Sequence, residues 1–399
     1  MAKKEQEKKI LQPNVGGYFR LRGKVARITE KGKYGDTFFH GVVQNGGKND
    51  GKEYISATIP LITKKNGDVK NEIPVKLFGM QSDTIYFYDL EKQESVEVNY
   101  DEWEDYVNYK GEDDKNRYIL RNGLKLKHKF ITNEDGKEVL DDNTYTYPVY
   151  EGLKELEKVL DKDMSVYVQG RLEFKTLEGQ DGKPRHIIEP QFNTFYISEN
   201  ELDFEQEDFQ EQNSWQQQVC FEKADIMGKG SDARGIIYAR IINYKGLEYE
   251  NAKFVIPFSD EDNEEYFKSI KKIAKFGDYI YLAGRMSREP KQTEVVSAFG
   301  GKSHTKAGGF GVLELHTDGT YVGDESNEEF IQGVLSNEDF LKAKKEIESN
   351  KSTNFGTKQS TKNSKESLST FGGKTKKADP FNDDDPFSSI DVSDDDLPF

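Results

Sequence analysis

Cysteine, tryptophan and long apolar runs are scarce in this sequence of 399 residues. Its single cysteine, Cys220, excludes an internal disulfide and a cysteine-ligated zinc or iron–sulfur centre. No run approaches the roughly 18 apolar residues of a membrane span, and the first residues lack the apolar stretch of a signal peptide. We therefore expect a cytoplasmic protein with no membrane partner.

Positive charge is also in deficit, because 57 Lys and Arg residues stand against 73 Asp and Glu residues and give a net charge of −16. An evenly spread charge of this sign would repel nucleic acid. The acid is segregated, however. Segments 83–116, 199–211 and 379–399 together carry −24, which leaves +8 on the remaining 331 residues. Most of the chain is thus basic, and nucleic acid stays a candidate partner.

Catalytic motifs are missing as well. The stretches 301–303 and 373–375 come near a phosphate-binding P-loop, but Val296 and Leu368 stand where that loop needs glycine. None of the five histidines has the spacing of a zinc protease site, and the densest acidic clusters lie in expected linker or tail segments. We therefore expect a protein that is not an enzyme and that uses no cofactor and no metal.

A gapless repeat at an offset of 114 residues relates two parts of the chain, because residues 152–172 match residues 266–286. In both copies, apolar residues with the spacing of one helix face are followed by alternating strand residues and a Gly-Arg pair, which ends at Arg171 and at Arg285. Each copy therefore predicts a short helix, a tight turn and a strand.

Further strands surround each copy. Residues 19–28 alternate like a strand, and Asn66-Gly67 predicts a hairpin between strands near 58–63 and 75–78. A helix near 150–161 and strands at 164–174 and 185–197 follow. Three strands, a helix and two strands is the order of the OB-fold, a five-stranded, partly open barrel. The second copy predicts a helix near 264–275 and strands near 234–244, 251–258, 278–286 and 311–317. We expect a mainly β fold of two OB-fold barrels in tandem.

These elements divide the chain into six expected segments. They are a basic N-terminal arm (1–12), a first OB-fold (13–198) with an acidic insertion at about 81–147, an acidic linker (199–213), a second OB-fold (214–320), a helical segment (321–349), and a disordered linker with an acidic C-terminal tail (350–399). A capping-box spacing at Ser336 predicts the start of a helix. The last segment holds too little apolar surface to offset the entropy of ordering it.

Basic and aromatic residues on these strands and loops suggest a surface for single-stranded nucleic acid, which is bound by cationic grooves whose aromatic rings stack on bases. The candidate DNA-binding residues are Arg20, Arg22, Lys24, Tyr34, Phe39, Lys76, Phe78, Arg171, Phe174, Arg240, Arg285, Lys302 and Lys306. The alternatives are the solvent side of a half-buried strand for the cations, the core for the phenylalanines, and a plain flexible loop for Lys302 and Lys306.

The C-terminus carries the most specific motif, Asp394-Asp395-Asp396-Leu397-Pro398-Phe399. A terminal phenylalanine on an acidic tether offers a partner an apolar anchor, a free carboxylate and steering charge. This tip resembles the acidic tip of bacterial-type single-stranded DNA-binding proteins (SSB), with Leu397 where that family usually has isoleucine. Residues 75–79, 166–172 and 179–185 are similar to a strand, a second strand and a hairpin of that family, in the same order.

The resemblance implies an OB-fold, base stacking by Phe78, and docking of replication and repair proteins on the tip. It covers about a third of the chain. The family's stacking tryptophans have no counterpart in the expected barrels, and its members usually have one OB-fold per chain and form tetramers. Such divergence would suit a phage-encoded member in the cytoplasm of an infected bacterium. Two barrels per chain are compatible with a monomer and with a homo-oligomer, namely a dimer.

We therefore expect a sequence-tolerant protein that coats and protects single-stranded DNA in replication, recombination and repair and recruits partner proteins through its tip. Two alternatives remain open. The first is an OB-fold scaffold that binds proteins and has a DNA-mimicking tail. The second is a metal-dependent nuclease.

Overall fold

The computed structural model is mainly β, which confirms the predicted fold class. It describes residues 11–345 with gaps at 12, 30–35, 45, 68, 112–114, 134–136, 179–183, 231–232, 243–248, 259–260, 289–291, 296–303, 308–310, 321–329, 332–334 and 344. Among the helices of these residues, none is both long enough and apolar enough to cross a membrane.

The chain begins with four strands of one sheet: β1 (Tyr18–Val25), β2 (Phe38–Val42), β3 (Glu53–Asn66) and β4 (Val69–Met80). Burial alternates along the whole of β1, with Phe19 and Leu21 fully buried, as its sequence predicts. β3 and β4 pair as a hairpin that turns at Gly67, where φ is +57°, a conformation that favours glycine. The predicted hairpin is confirmed.

The insertion folds around a small core of its own. Phe87, Val98 and Leu120 form that core inside a three-stranded sheet, and the later strands pair with each other or with the main sheet. Its elements are β5 (Thr84–Asp89), β6 (Glu94–Asn99), α1 (Trp103–Val107), β7 (Tyr118–Leu120), β8 (Leu124–Lys127), β9 (Phe130–Thr132), β10 (Glu138–Leu140) and β11 (Tyr145–Tyr147).

Helix α2 (Val149–Val159) and strands β12 (Ser165–Glu178) and β13 (Pro184–Ile197) complete the first half. Hydrogen bonding runs from β1 to β3, β4, β13, β12 and back to β1, and of these pairings only that of β4 with β13 is parallel. We call these five strands the first ring. Three strands, a helix and two strands is the order that the sequence predicts.

The second half repeats this plan. Its elements are β14 (Asn213–Met227), β15 (Arg234–Ile242), β16 (Tyr249–Pro257), α3 (Glu261–Ile273), β17 (Tyr279–Ser287), β18 (Gln292–Val295), β19 (His304–Ala307), β20 (Glu314–Thr320), β21 (Phe330–Ile331) and α4 (337–343). Hydrogen bonding runs from β14 to β15, β16, β20, β17 and back to β14, and we call these strands the second ring. β14 was not predicted, and neither was the pairing of β18 with β19.

Helix α4 begins as its sequence predicts. The backbone N–H and the hydroxyl of Ser336 both donate to the Asp339 carboxylate at 2.7 Å, and the Asp339 N–H donates to Ser336 Oγ at 3.3 Å. These reciprocal bonds satisfy amide groups that the first turn of a helix leaves without partners.

The repeated glycines occupy equivalent places in the two rings. Gly170 of β12 and Gly284 of β17 each lie at a β-bulge. A side chain there would collide with the neighbouring strand, at the carbonyl oxygens of Gln191 and His316 respectively. The glycine is repeated because, in each ring, two strand backbones approach too closely there for a side chain to fit.

The two rings share one sheet and one core. β1 pairs with β14 in register from Tyr18 to Leu21, and a single cluster of buried side chains extends through both rings. Asn71 of β4 binds the backbone of β17 across the junction. Its Nδ2 donates to Met286 O at 3.0 Å, and its Oδ1 accepts from the Arg288 N–H at 2.9 Å.

A second asparagine holds the same residue of β17. Asn213 Nδ2 donates to Met286 O at 2.7 Å, and Asn213 Oδ1 accepts from the Met286 N–H at 3.0 Å. Glu211, the last acid of the expected linker, accepts from both asparagines at 3.0–3.1 Å. We call Asn71 and Asn213 the asparagine clamp.

Replacing Asn71 with alanine should lower the free energy of unfolding by about 2 kcal/mol, because it removes the buried bond to Met286 O and the bond from the Arg288 N–H, both of which join the two halves. Asn108→Ala is the matched control. Its side chain is exposed and bonds only to Glu104 O on the same helix, so we expect a change below about 0.5 kcal/mol. Urea denaturation of both variants measures the difference, and equal midpoints would contradict a role for the clamp.

Candidate nucleic-acid interface

Three aromatic rings lie side by side on the outer surface of β2, β3 and β4. The Tyr54 ring centroid is 6.2 Å from that of Phe39 and 5.4 Å from that of Phe78. Phe78 is 55% exposed and Phe39 is 46% exposed, while Tyr54 is half-buried. We call these three residues the aromatic cluster. Its two phenylalanines are therefore each about half exposed to solvent beside the tyrosine.

Local pairing explains the cluster. Phe78 is in register with Ser56, and Phe39 is in register with the same serine from the other side, so both rings flank the Tyr54 side chain two residues away on β3. Gly41 lies opposite Tyr54, and a Cβ at that glycine would collide with the tyrosine ring. Tyr54 was missed at the sequence level, although it alternates with Ile55 and Ala57 and so shares a face with Ser56.

Cations follow the aromatic cluster across the first ring. In register, Thr58 is followed by Lys76, Gln191, Arg171 and Tyr18, each on the next strand. Four strand spacings of about 4.8 Å make this path about 19 Å long, measured along the sheet. The predicted residues Lys76, Phe78 and Arg171 are therefore brought onto one continuous surface, together with Phe39.

Acidic neighbours already hold part of this charge. Lys76 Nζ lies 2.7 Å from Glu189 Oε1, and Lys175 Nζ lies 2.8 Å from Glu189 Oε2. Burial raises the pKa of the Glu189 carboxyl, but hydrogen bonds and charge from Lys175 and Lys76 outweigh burial and hold that pKa below its ordinary value. Glu189 is therefore a competitor for any anion that approaches the two lysines.

The predicted cations of β1 share one face, as the alternation requires, but they differ in their contacts. Arg20 lies over the Tyr18 ring at 5.2 Å, and Lys24 Nζ lies 2.7 Å from Glu201. Arg22 is half-buried in register with Tyr167. Arg20 is thus held as a flat cationic group beside the register path, while the charge of Lys24 is paired.

The model of the YorF family matches residues 42–358. The chain belongs to the YorF family. The family's name states no activity, and no curated protein matches this YorF chain.

Solved structures of the single-stranded DNA binding protein from Thermus aquaticus align with this YorF chain. The wild-type structure is 10% identical, with 79% of this chain and 100% of that chain covered, at a TM-score of 0.31. A deletion mutant of the same protein is 12% identical, with 79% and 99% covered, also at 0.31. A similarity this low supports no inference about fold or function, and membership of the SSB family stays a prediction.

Two predicted site residues of the YorF chain are corrected. Phe174 is 8% exposed and packs against Phe254 with ring centroids 6.2 Å apart, so it belongs to the core between the rings and cannot stack on a base. The Arg240 side chain is covered by aromatic side chains and is not exposed to a ligand. Its guanidinium lies 4.1 Å from the ring centroid of Phe340 on α4, with Tyr249 on another side at 5.1 Å. The last helix therefore covers this arginine.

Arg171 and Arg285, which end the two copies of the repeat, are both exposed. They differ in their neighbours, since Arg171 is in register with Tyr18 and donates to Gln191 at 3.4 Å, whereas Arg285 is in register with His316. Arg171 therefore lies on the register path of the first ring. Arg285 does not join that path, because it belongs to the second ring.

Several predicted residues lie outside the described residues, namely Tyr34, Lys302 and the tip Asp394, Asp395, Asp396, Leu397, Pro398 and Phe399. The side chain of Lys306 on β19 lies outside them too. Trp215 lies on β14 of the second ring, where it is 2% exposed. The described residues contain no group of three His, Cys, Asp or Glu side chains that could hold a metal ion.

Stability should fall in acid partly through Glu189. Its pKa is lower in the folded protein than in the unfolded chain, so its contribution is present above the ordinary glutamate pKa of about 4.3 and is lost as the pH falls through the folded value. Glu189→Gln should therefore lower the free energy of unfolding at neutral pH by about 1 kcal/mol and reduce its decline in acid.

Urea denaturation across the acid range measures this effect. Glu205→Gln is the control, because the Glu205 side chain is 73% exposed and its ion pair with Lys65 is 3.5 Å long. If the stability of both variants depends on pH as that of the wild type does, Glu189 does not form ion pairs with the two lysines in solution.

Proposed function

We propose that this YorF-family chain binds single-stranded DNA without sequence preference and does so on the outer surface of the first ring. The aromatic cluster is the observation that carries the proposal. Tyr54 and Phe78 lie on β3 and β4, the second and third strands of the five-stranded first ring, and Phe39 lies on β2, which pairs with β3. In OB-folds the face of strands 2 and 3 and the loop between strands 1 and 2 bind oligonucleotides.

The chemistry of this surface fits a single strand better than a duplex. Exposed rings stack on unpaired bases of any identity, because every base has a π-face. Bases within a duplex are already stacked on one another and offer only their edges to the grooves. Cations for the phosphates lie beside these aromatic rings, namely Lys76, Arg171 and Arg20. A surface of aromatic rings and cations therefore favours single-stranded DNA over duplex DNA.

In the cell, the proposed role is to coat and protect single strands during DNA replication, recombination and repair. The protein would act there as a binding protein without enzymatic activity. The tip Asp394–Phe399 would recruit replication and repair proteins, since its acidic tether steers the peptide and its last three residues supply an apolar anchor.

Truncating the aromatic cluster should weaken this binding. Phe78→Ala and Tyr54→Ala should each raise the Kd for labelled oligo-dT by about 5- to 150-fold, since base stacking contributes about 1–3 kcal/mol per base. Phe78→Leu keeps an apolar side chain but not the ring and should lose nearly as much. Fluorescence titration at one fixed salt concentration measures all three.

Phe130→Ala is the matched control for these variants, because Phe130 is 42% exposed but lies on β9, in a separate two-stranded sheet of the insertion. It should bind like the wild type. Failure of the wild-type protein to bind oligo-dT would favour the protein-binding scaffold, preference for duplex would overturn the proposal, and cleavage of labelled strands with Mg²⁺ would favour a nuclease.

Deleting the last six residues should abolish recruitment of replication and repair proteins and leave the affinity for oligo-dT equal or higher. The gain should be largest at low salt, where the negative tail competes most strongly with DNA for the cations. Pull-down from a bacterial lysate and oligo-dT titration measure the two effects.

A matched variant separates the apolar anchor from the charge. Replacing Leu397, Pro398 and Phe399 with serines keeps the three aspartates. It should lose the partners without the gain in affinity at low salt. Retention of the partners by this variant, or weaker DNA binding by the deletion, would contradict the assignment of the tip.

A further inference from the structure

The second ring carries a cation–aromatic–cation arrangement that the sequence did not suggest. Tyr238 of β15 is in register with Lys223 of β14 on one side and with Lys253 of β16 on the other. The ammonium groups of these lysines lie 4.7 and 5.4 Å from the centre of the tyrosine ring. Both lysines are exposed and Tyr238 is half-buried. We call these three residues the lysine–tyrosine row.

The charge of the lysine–tyrosine row favours binding of a negatively charged ligand. Two ammonium groups that share one ring repel each other, and an exposed cation–π contact contributes only about 0.5–1 kcal/mol. Lys223 also forms an ion pair with Asp225 at 2.7 Å, and the Asp225 side chain is 46% exposed. One carboxylate against two ammonium groups leaves a surplus of positive charge beside an aromatic ring.

The row is continuous with a groove between the rings. A cavity of about 300 Å³ lies between the β12–β13 hairpin of the first ring and strands β15 and β16 of the second. Lys253 and Met227 line it, and the Tyr238 hydroxyl lies 3.8 Å from the Met227 sulfur. The wall facing them includes Phe174 and Ile188. The groove is lined mainly by apolar side chains, with Lys253 at its edge and the Arg234–Glu314 ion pair in its wall, and it suits a flat, partly apolar ligand that carries negative charge.

We propose that the lysine–tyrosine row is a second contact site for the same single strand, at which Tyr238 stacks on a base and the two lysines bind the phosphates on either side. This inference rests on the proposed function. Tyr238 lies on the second strand of its ring, as Tyr54 does in the first ring, so the two sites occupy corresponding strands.

The β12–β13 hairpin connects the two sites. Lys175 and Glu189 of this hairpin border the first site, while Phe174 and Ile188, one residue away on each strand, line the groove. Thr176 of the hairpin also bonds to Glu250 of β16 at 2.5 Å. The hairpin therefore has one face on the first site and the opposite face on the groove that Lys253 lines, and a strand bound at both sites passes around it.

Salt titration of a double variant tests the role of the lysines. Lys223→Ala/Lys253→Ala should make the slope of log K against log salt shallower by about 0.7 to 1.4, since each phosphate contact contributes about −0.7 for single strands and Lys223 already pairs with Asp225. Tyr238→Ala should raise the Kd for oligo-dT by about 5- to 150-fold without changing the slope, because it removes stacking but no charge. Tyr238→Phe keeps the ring and should bind like the wild type.

The matched control is Lys268→Ala/Lys272→Ala, which removes the same charge from two exposed positions on α3. It should keep the wild-type slope. If the row variant behaves like this control while the wild type binds oligo-dT, the inference is wrong and the proposed function stands. If the wild type does not bind oligo-dT at all, the proposed function itself fails.

A peptide arm separates DNA from the protein's own tail as the occupant. A synthetic peptide of residues 379–399 is titrated against protein that lacks those residues. Peptide binding that depends on Lys223 and Lys253, combined with unchanged DNA binding by the row variant, would overturn the assignment to DNA. Loss of DNA affinity in the row variant, with or without peptide binding, supports it.

Discussion

The backbone of Met286 is the point at which the two halves of the molecule are fixed to each other. Asn71 reaches it from the first ring and Asn213 from the start of β14, with carboxylate oxygens of Glu211 beside both amides. The bonds to Met286 are buried, so each lost partner would cost more than the bond contributes in water. They hold β17 beside β4, next to the β1–β14 ladder that joins the two rings, and the β12–β13 hairpin lies against β16.

The sequence predicted the parts of the fold that depend on local pattern. The repeat at offset 114 marked α2 with β12 and α3 with β17, because a helix face, a turn and a strand follow from spacing alone. The bulge at each repeated glycine was not predicted. β14 was not predicted because its first half contains a run of three glutamines, which resembles a polar loop. Two of those glutamines, Gln217 and Gln218, are buried and exchange hydrogen bonds with the backbone at Val15, a partner about 200 residues away in sequence.

The candidate site was predicted to the extent that alternation decides which side of a strand a residue faces. Alternation placed Phe78 and Arg20 outward, and both are on the outer surface. It could not say what lies opposite. Phe174 also projects from its strand, but the second ring covers it, and Arg240 is covered by Phe340 of a helix 100 residues later. Tyr238 and its two lysines come from three strands, so no single stretch of sequence contains the row.

The pairing of cations with acids sets the balance between the forces that this surface can offer a single strand. Lys24 and Lys76 each have a carboxylate at 2.7 Å, so a phosphate would replace an existing ion pair rather than create a new one. Such pairs at a surface contribute about 0–1 kcal/mol, and exchanging one anion for another changes the free energy by less than that. Stacking on an exposed ring contributes about 1–3 kcal/mol per base and displaces only water. The aromatic rings therefore contribute most of the affinity for single-stranded DNA. The binding constant depends less steeply on salt than the number of cations on the surface would suggest.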